Sequence, residues 1–92
     1  MKLLEGKTAI ITGASKGIGK GIAEAFVKQG ANIAFTYLSS VEKGQALENE
    51  LAVHGTKVKG YRSDASKMEA AEELCNNVLA DFGQIDIVVN NA

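Results

Sequence analysis

Short apolar segments alternate with helical segments along the whole chain of 92 residues, and this alternation limits the folds that are open to it. Four apolar segments have the length of strands, and segments with apolar residues at helical spacing separate them. Strands that are joined by helices run parallel, with right-handed crossovers that place helices on the faces of the sheet. The pattern therefore predicts an α/β fold of Rossmann type, a partial doubly wound parallel sheet with strand order 3-2-1-4.

The expected boundaries follow from where the apolar periodicity starts and stops. Predicted strands cover 7–12, 32–37, 56–61 and 85–90, and predicted helices cover 18–29, 40–54 and 66–82. In the second helix, Leu47 and Leu51 are expected to point inward. The third opens with a capping box formed by Ser66 and Glu69. Its expected apolar stripe comprises Met68, Ala71, Cys75, Val78, Leu79 and Phe82. On that stripe, Cys75 is interpreted as a small buried hydrophobe.

Charge and composition argue against several classes of protein. The 10 basic and 11 acidic side chains give a net charge of −1, and no basic stripe indicates nucleic-acid binding. The N-terminus lacks the apolar length of a signal peptide, and no apolar run reaches the length of a membrane span. The single cysteine cannot form an internal disulfide or a thiolate metal cluster. We therefore expect one soluble, cytoplasmic domain without a metal site.

The segment TGASKGIG, residues 12–19, stands between the first predicted strand and the first predicted helix. It does not fit a Walker A loop, which needs four residues between its two glycines, whereas five stand between Gly13 and Gly19. That loop also needs Ser or Thr after its lysine, where this chain has Gly21. It does not fit the dinucleotide fingerprint G-x-G-x-x-G either, because Ile22 stands where the third glycine belongs. Unpaired amides at a helix start favour an anion, and glycine lets the backbone come close to it. The segment therefore predicts a pyrophosphate-binding turn, with a plain tight turn as the alternative.

Three segments at matching separations resemble the short-chain dehydrogenase/reductase family: TGASKGIG, Ser63-Asp64-Ala65 and Val89-Asn90-Asn91-Ala92. The resemblance implies that residues 1–92 are the N-terminal, dinucleotide-binding half of the family's domain, with the catalytic half outside this sequence. It implies a pyrophosphate and ribose site on the turn, an adenine site at Asp64, and a bracing role for Asn91. The cofactor-binding residues implied in this way are Gly13, Ala14, Ser15, Lys16, Gly17, Ile18, Gly19, Leu38, Ser39, Asp64, Ala65, Asn90 and Ala92.

The end of the second predicted strand bears on the choice of cofactor. Sites for NAD place an Asp or Glu there to accept bonds from the ribose 2′-hydroxyl, whereas this chain has Tyr37. A carboxylate would repel the 2′-phosphate of NADPH, and Lys16 is a nearby cation that could pair with that phosphate. Leu38 and Ser39 would complete the pocket. The resemblance therefore implies NADPH, and the alternative is that Lys16 is only a solvated loop lysine.

The family's catalytic Tyr-x-x-x-Lys pair is not found in this sequence, because Val41 stands four places after Tyr37 and Ala65 four places after Tyr61. We therefore expect the 92-residue chain itself to be inactive. The resemblance implies a full-length enzyme that reduces 3-oxoacyl groups on acyl carrier protein in fatty-acid synthesis. One alternative is a dehydrogenase of the same family that acts on a sugar, polyol or steroid. Another is a non-catalytic nucleotide-binding or structural fragment.

Assembly is a further expectation from the predicted topology. The resemblance implies a homotetramer for the full-length enzyme. In the 92-residue chain, the fourth predicted strand would be an exposed apolar edge of the sheet, and such an edge is a template for pairing with another strand. We therefore expect the isolated 92-residue chain either to be marginally stable or to associate with further copies through that edge.

Overall fold

The computed structural model describes residues 2–14, 17–38, 41–64 and 67–91. Within these ranges four strands and three helices alternate, in agreement with the predicted class. In chain order they are β1 (Thr8–Ile11), α1 (Gly17–Lys28), β2 (Asn32–Tyr37), α2 (Val41–Ala52), β3 (Val58–Arg62), α3 (Met68–Phe82) and β4 (Ile87–Val89). None of the helices in the described ranges is both long enough and apolar enough to cross a membrane.

The four strands form one parallel sheet in the order β3-β2-β1-β4, which confirms the predicted order. The two central strands are in register from Thr8 opposite Asn32 to Ile11 opposite Phe35. Every residue of β1 is buried, as expected for a strand that has a neighbour on each side and helices over both faces. The carboxyl ends of these central strands carry the candidate site.

The helices divide between the two faces of the sheet. The larger core lies with α1 and α2 and includes the buried side chains Ile11, Ala23, Val27, Ile33, Phe35, Leu47 and Leu51. The smaller core lies with α3 and contains the buried side chains Ile10, Ala34, Leu74 and Val78. Two helices therefore cover one face and the third covers the other, as right-handed crossovers require. The predicted inward positions of Leu47 and Leu51 are confirmed.

The apolar stripe predicted for α3 is confirmed at Val78 and Phe82, which pack on the smaller core, and is wrong for other members. The residues of α3 that are buried are Leu74 and Val78. By contrast, Met68 is 88% exposed and Leu79 is 47% exposed. Cys75 is also exposed, so its interpretation as a buried hydrophobe is wrong. The physical reason is that α3 rests on the sheet along one narrow line, so only one edge of its wide apolar surface is covered.

The start of α3 also differs from the prediction. Lys67 is its N-cap residue and makes no capping hydrogen bond with its side chain. Ser66, the predicted cap, lies outside the described residues, as does Ser40, the predicted start of α2. At the other end Gly83 has a φ of 84°, and its N–H donates to the carbonyl oxygen of Leu79 at 2.9 Å. This is the glycine stop that the sequence predicts.

A polar cluster attaches the last turn of α3 to β3. The carboxylate of Asp81 accepts hydrogen bonds from the Tyr61 hydroxyl at 2.6 Å and from Lys59 Nζ at 2.9 Å, and Lys57 Nζ donates to the Asp81 carbonyl oxygen. The bonds from Tyr61 and Lys59 hold the pKa of Asp81 below its usual value. Burial, followed by the bond to Asp81, raises the pKa of Tyr61. Tyr61 is therefore a neutral donor that fixes a helix to a strand.

The outer strand β4 is anchored at its start and open along its side. Asp86 accepts hydrogen bonds from the Thr8 N–H at 2.9 Å and from Gln84 Nε2 at 2.6 Å, and these bonds lower the pKa of Asp86. Among the residues that the structure describes, β4 pairs with β1 alone, and Val88 is 62% exposed. The chain thus presents the exposed sheet edge that the topology predicts. Association of copies through this edge stays a prediction.

Candidate nucleotide-binding site

The carboxyl ends of the parallel strands bring the sequence motifs to one edge of the sheet. The residues that follow the strands there are Thr12, Gly13 and Ala14 after β1, Leu38 after β2, Ser63 and Asp64 after β3, and Asn90 and Asn91 after β4. Ligands of open parallel sheets bind at this edge, where the strand order reverses. In this sheet the reversal is at β1, which lies between β2 and β4. The turn after β1 is therefore the centre of the candidate site.

Glycine makes this turn sterically feasible. Gly13 and Gly17 have φ values of 66° and 64°, in the left-handed region that side chains disfavour. Gly19 is buried, and a Cβ at that position would lie 2.5 Å from the carbonyl oxygen of Gly13 and 2.6 Å from Asn91 Nδ2. The first turn of α1 therefore packs directly on the glycine-rich turn and on the segment after β4.

Thr36, near the end of β2, holds the other side of the turn. Its hydroxyl oxygen accepts a hydrogen bond from the Gly13 N–H at 3.0 Å, and its carbonyl oxygen accepts one from the Ala14 N–H at 3.2 Å. Thr36 is only 2% exposed. The amides of Gly13 and Ala14 therefore serve to shape the turn, and sequence reasoning did not identify Thr36 as their acceptor.

Backbone donors for a ligand lie at the start of α1. The carbonyl of the N-cap residue accepts the first bond of a helix, so the amides of residues 17–19 of α1 have no partner within the helix and carry the positive end of its dipole. Ile18 is 75% exposed, so this first helical turn is open at the surface. An anionic oxygen placed there would gain hydrogen bonds that the helix cannot make internally. The geometry suits a phosphate group at this place.

The segment after β4 is tied to the turn after β1. The hydroxyl oxygen of Thr12 accepts a hydrogen bond from the Asn91 N–H at 2.9 Å and lies 3.2 Å from Asn90 Oδ1. Asn91 Nδ2 donates to the carbonyl oxygen of Gly13 at 3.5 Å. Asn91 thus bonds to neighbouring backbone, as its predicted bracing role requires. Asn90 is exposed beside it.

The end of β2 carries an aromatic ring and an exposed apolar side chain. The ring of Tyr37 packs 6.4 Å from that of Phe35, and a Cβ on Gly44 of α2 would lie 2.5 Å from the Tyr37 ring. Leu38 is 61% exposed. Its carbonyl oxygen accepts a hydrogen bond from Arg62 Nε at 3.3 Å. The end of β2 therefore has a tyrosine and no carboxylate at position 37, and the guanidinium of Arg62 lies beside it.

Arg62 is a candidate binding residue that the sequence analysis missed. It is the last residue of β3, which lies beside β2 in the sheet, so the ends of the two strands are neighbours. The signal was available, since the predicted strand order already places the third strand next to the second. It was missed because no motif marks a lone arginine.

Asp64, the predicted adenine-binding residue, lies next to the end of β2. The N–H of Ser63 donates to the carbonyl oxygen of Tyr37 at 3.0 Å, and the Lys67 N–H donates to that of Asp64 at 3.1 Å. A cavity of about 190 Å³ opens between this segment and α3. Its lining residues include Arg62, Ser63, Asp64, Glu73 and Asn77. The structure thus brings Leu38 and Asp64 to adjacent strand ends.

The arrangement of turn, helix start and strand ends also characterises a known family. The family model described as short chain dehydrogenase matches residues 7–92. The chain belongs to this family. Within it, 2-dehydro-3-deoxy-D-gluconate 5-dehydrogenase of Pseudoalteromonas atlantica is 45% identical over 89 residues, which are 97% of this chain and 35% of that protein. A 3-oxoacyl-(acyl-carrier-protein) reductase of Staphylococcus epidermidis is 35% identical over 86 residues, which are 94% of this chain and 35% of that protein.

Solved structures of the family have the same fold. A dehydrogenase/reductase from Sinorhizobium meliloti superposes with a TM-score of 0.92 at 38% identity, over 97% of this chain and 35% of that one. An NAD⁺-bound xylitol dehydrogenase superposes with a TM-score of 0.92 at 31% identity, and the match covers 99% of this chain and 35% of that one. A metagenomic short-chain oxidoreductase in complex with NADP superposes with a TM-score of 0.87 at 38% identity, and the match covers 97% of this chain and 40% of that one. The chain spans about a third of the length of the relatives that it matches.

Some of the site residues implied by the family resemblance lie outside the described part of this short-chain dehydrogenase chain. They are Ser15, Lys16, Ser39, Ala65 and Ala92. Of the described ones, Gly13, the start of α1 and Asn90 lie around the glycine-rich turn, whereas Ala14 is fully buried and exposes no surface to a ligand. Leu38 and Asp64 lie at the neighbouring strand ends.

Reactive side chains elsewhere in the described residues are remote in sequence from the glycine-rich turn. His54 is an exposed residue just after α2, and Cys75 is exposed on α3. In the same ranges, no group of three or more His, Cys, Asp or Glu side chains is placed to hold a metal ion. The described part of the candidate site consists of backbone donors and side chains at the strand ends.

Proposed function

We propose that this chain is the dinucleotide-binding half of an NADPH-dependent short-chain oxidoreductase. The observation that carries the proposal is the packing of the start of α1 on the glycine-rich turn, where Gly19 contacts both that turn and Asn91. This packing places unpaired helix amides at the switch point of a parallel sheet. A pyrophosphate is the ligand that these donors fit, and the strand ends around them suit an adenosine.

The proposed preference for NADPH rests on the end of β2. Tyr37 stands where a carboxylate would receive the ribose 2′-hydroxyl of NAD, and Arg62 lies against Leu38. Lys16 would add a second cation from the turn, although it lies outside the described residues. One solved relative is in complex with NADP and another is NAD⁺-bound, so family membership alone does not select the cofactor. The local charge is the argument for NADPH.

For the full-length protein, we propose reduction of a 3-oxoacyl group on acyl carrier protein in fatty-acid synthesis, by a cytoplasmic homotetramer. A relative of that activity is 35% identical to this chain. Dehydrogenation of a sugar acid is the second candidate, and the 45% identity to a 2-dehydro-3-deoxy-D-gluconate 5-dehydrogenase favours it. Either activity needs the Tyr-x-x-x-Lys pair, which this sequence does not contain. We therefore propose that the 92-residue chain binds nucleotide without catalysing hydride transfer.

The test of the nucleotide site is an amide NMR titration of the 92-residue chain with 2′,5′-ADP and, separately, with 5′-AMP. We expect both ligands to shift the amides of residues 13–19, because both carry a 5′-phosphate. We expect 2′,5′-ADP to bind more tightly and to shift Leu38 and Arg62 as well. Equal or tighter binding of 5′-AMP would remove the NADPH assignment, and no response to either ligand in a folded sample would remove the nucleotide site.

Arg62→Gln tests whether the guanidinium beside Leu38 recognises the 2′-phosphate. We expect this change to weaken 2′,5′-ADP by about 3- to 10-fold, since a charge-assisted hydrogen bond at an exposed site is lost. Binding of 5′-AMP should stay unchanged, because it has no 2′-phosphate. The measurement is isothermal titration at low and at physiological salt, and the difference should shrink as salt rises.

Lys28→Gln is the matched control for Arg62→Gln, because it removes one exposed cation from the last turn of α1, far along the helix from the site. It should leave the affinity ratio of the two nucleotides unchanged. An equal loss of 2′,5′-ADP binding in both variants would mean that net charge, and no specific contact, governs the preference.

A further inference from the structure

We propose that Thr36 is a positioning residue, whose buried hydroxyl sets the glycine-rich turn in the form that binds the nucleotide phosphate. The inference rests on the proposed function, because it assigns a role within that same site. Thr36 belongs to β2 and not to the turn itself, and no binding motif includes it. Its role would be to hold backbone that touches the ligand.

The first step of the argument is that Thr36 satisfies two consecutive amides. Its hydroxyl oxygen accepts from Gly13 at 3.0 Å, and its carbonyl oxygen accepts from Ala14 at 3.2 Å. The carbonyl bond does not depend on the side chain, whereas the hydroxyl bond needs a hydroxyl-bearing side chain at position 36. The N–H of the peptide between Thr12 and Gly13 therefore has its acceptor in this one side chain, which belongs to a residue that is 2% exposed.

The second step is that Gly13 is in close contact with α1 through its next peptide, the one that carries its carbonyl oxygen. A Cβ at position 19 would lie 2.5 Å from the carbonyl oxygen of Gly13, so the backbone of Gly19 passes close to that oxygen. Gly13 has a φ of 66°, in a region where glycine has wide conformational freedom. Without an acceptor for its N–H, Gly13 would lose one of the bonds that fix its φ, and a change of φ would shift its carbonyl oxygen against the first turn of α1. The bonds from Ala14 to the Thr36 carbonyl oxygen and from Asn91 to the Gly13 carbonyl oxygen would then hold the turn.

The third step is that an unpaired amide is costly here. The Gly13 N–H is partly buried, and a buried donor without an acceptor loses its hydration without compensation. The turn would therefore rearrange to satisfy that donor in a variant that lacks the hydroxyl. Because the proposed phosphate donors begin four residues later at Gly17, such a rearrangement would move them away from the geometry that binds phosphate.

The experiment compares Thr36→Val, Thr36→Ser and Thr8→Val in the 92-residue chain. Thr36→Val removes the acceptor at nearly constant shape, and Thr36→Ser retains it. Thr8→Val is the matched control, since Thr8 is a threonine of β1 that is only 1% exposed and lies at the opposite end of the sheet. The readouts are the dissociation constants of 5′-AMP and 2′,5′-ADP, the hydrogen-exchange rate of the Gly13 amide, and stability to urea.

We expect Thr36→Val to weaken both nucleotides by about tenfold and to speed exchange at Gly13, since a partly buried donor loses its acceptor. In Thr36→Ser, the affinities for the two nucleotides and the exchange rate of the Gly13 amide should be near the wild-type values. Thr8→Val should leave the nucleotide affinities and the exchange rate of the Gly13 amide unchanged, whatever its effect on the free energy of unfolding. If Thr36→Val does not fold, Thr36→Ala and Thr36→Ser provide the same comparison, because they differ only in the hydroxyl.

The outcomes separate this inference from the proposed function. A wild-type chain that is folded and binds neither nucleotide would contradict the proposed function and the inference that rests on it. A wild-type chain that binds, with unchanged affinity in folded Thr36→Val, would overturn the role of Thr36 alone. Equal losses in Thr36→Val and Thr36→Ser, or in Thr36→Val and Thr8→Val, would show that packing matters and the hydroxyl does not.

Discussion

Replacing Gly19 with alanine is expected to abolish measurable nucleotide binding and to lower the free energy of unfolding by about 1–3 kcal/mol, the usual cost of forcing extra atoms into a packed site. The added Cβ would lie 2.5 Å from the carbonyl oxygen of Gly13, 2.6 Å from Asn91 Nδ2 and 3.0 Å from the Cα of Ala14. Two of these three atoms belong to the backbone and cannot rotate away. The start of α1 must therefore separate from the turn. The proposed phosphate site needs these two elements packed together, so the separation would remove the site.

Gly21→Ala is the matched control, two residues further along the same helix. Gly21 is exposed, and a Cβ built on it meets no atom within 4 Å apart from its chain neighbours and the nearby backbone of its own helix. Alanine there should raise the free energy of unfolding by about 0.5–1 kcal/mol, because alanine favours helix over glycine. Urea unfolding and the 2′,5′-ADP titration measure both variants. If Gly19→Ala were as stable as Gly21→Ala and bound nucleotide normally, the close contact at Gly19 would not be a requirement of the site.

The sequence predicts most of the fold because the topology follows from local patterns. β2 was predicted with the residues that the structure has, Asn32–Tyr37, and the strand order follows from right-handed crossovers. The glycines that end α1 and α3 have positive φ at Gly30 and Gly83, which is a backbone requirement visible in the sequence. Apolar content, glycine and crossover handedness thus suffice for the architecture.

The orientation of α3 could not be predicted in the same way. Its apolar residues span more than one face, and the sequence does not say which part rests on the sheet. The structure buries Leu74 and Val78 and leaves Met68 and Cys75 exposed. That choice depends on the position of the helix over Ile10 and its neighbours, which is a tertiary property.

In the candidate site, the glycine-rich turn was visible in the sequence, whereas its supports were not. Thr36 and Arg62 act through contacts between neighbouring strands, at sequence separations of 23 and 24 residues from Gly13 and Leu38. No motif spans those distances. Both are nevertheless at the carboxyl ends of strands, so a search of all strand ends in the predicted order would have found them as candidates.

Tyr37→Asp is expected to reverse the preference between the two nucleotides. A carboxylate at the end of β2 repels a 2′-phosphate and can accept a hydrogen bond from a ribose 2′-hydroxyl. We expect the ratio of the dissociation constants, 2′,5′-ADP over 5′-AMP, to rise by about 10- to 100-fold, as a like-charge contact at a partly exposed site implies. The effect should decrease with salt, because the site is open to solvent.

Tyr37→Asn separates charge from packing in this experiment. Both substitutions remove the ring that packs beside Phe35 and against α2 at Gly44, so both should lose similar stability. Only Tyr37→Asp adds a negative charge, so only it should change the ratio strongly. If Tyr37→Asn reverses the preference as far as Tyr37→Asp does, the tyrosine ring and not the absence of a carboxylate selects the cofactor. If neither variant changes the ratio, the end of β2 does not contact the ribose, and the argument for NADPH passes from charge at position 37 to Arg62 and the turn.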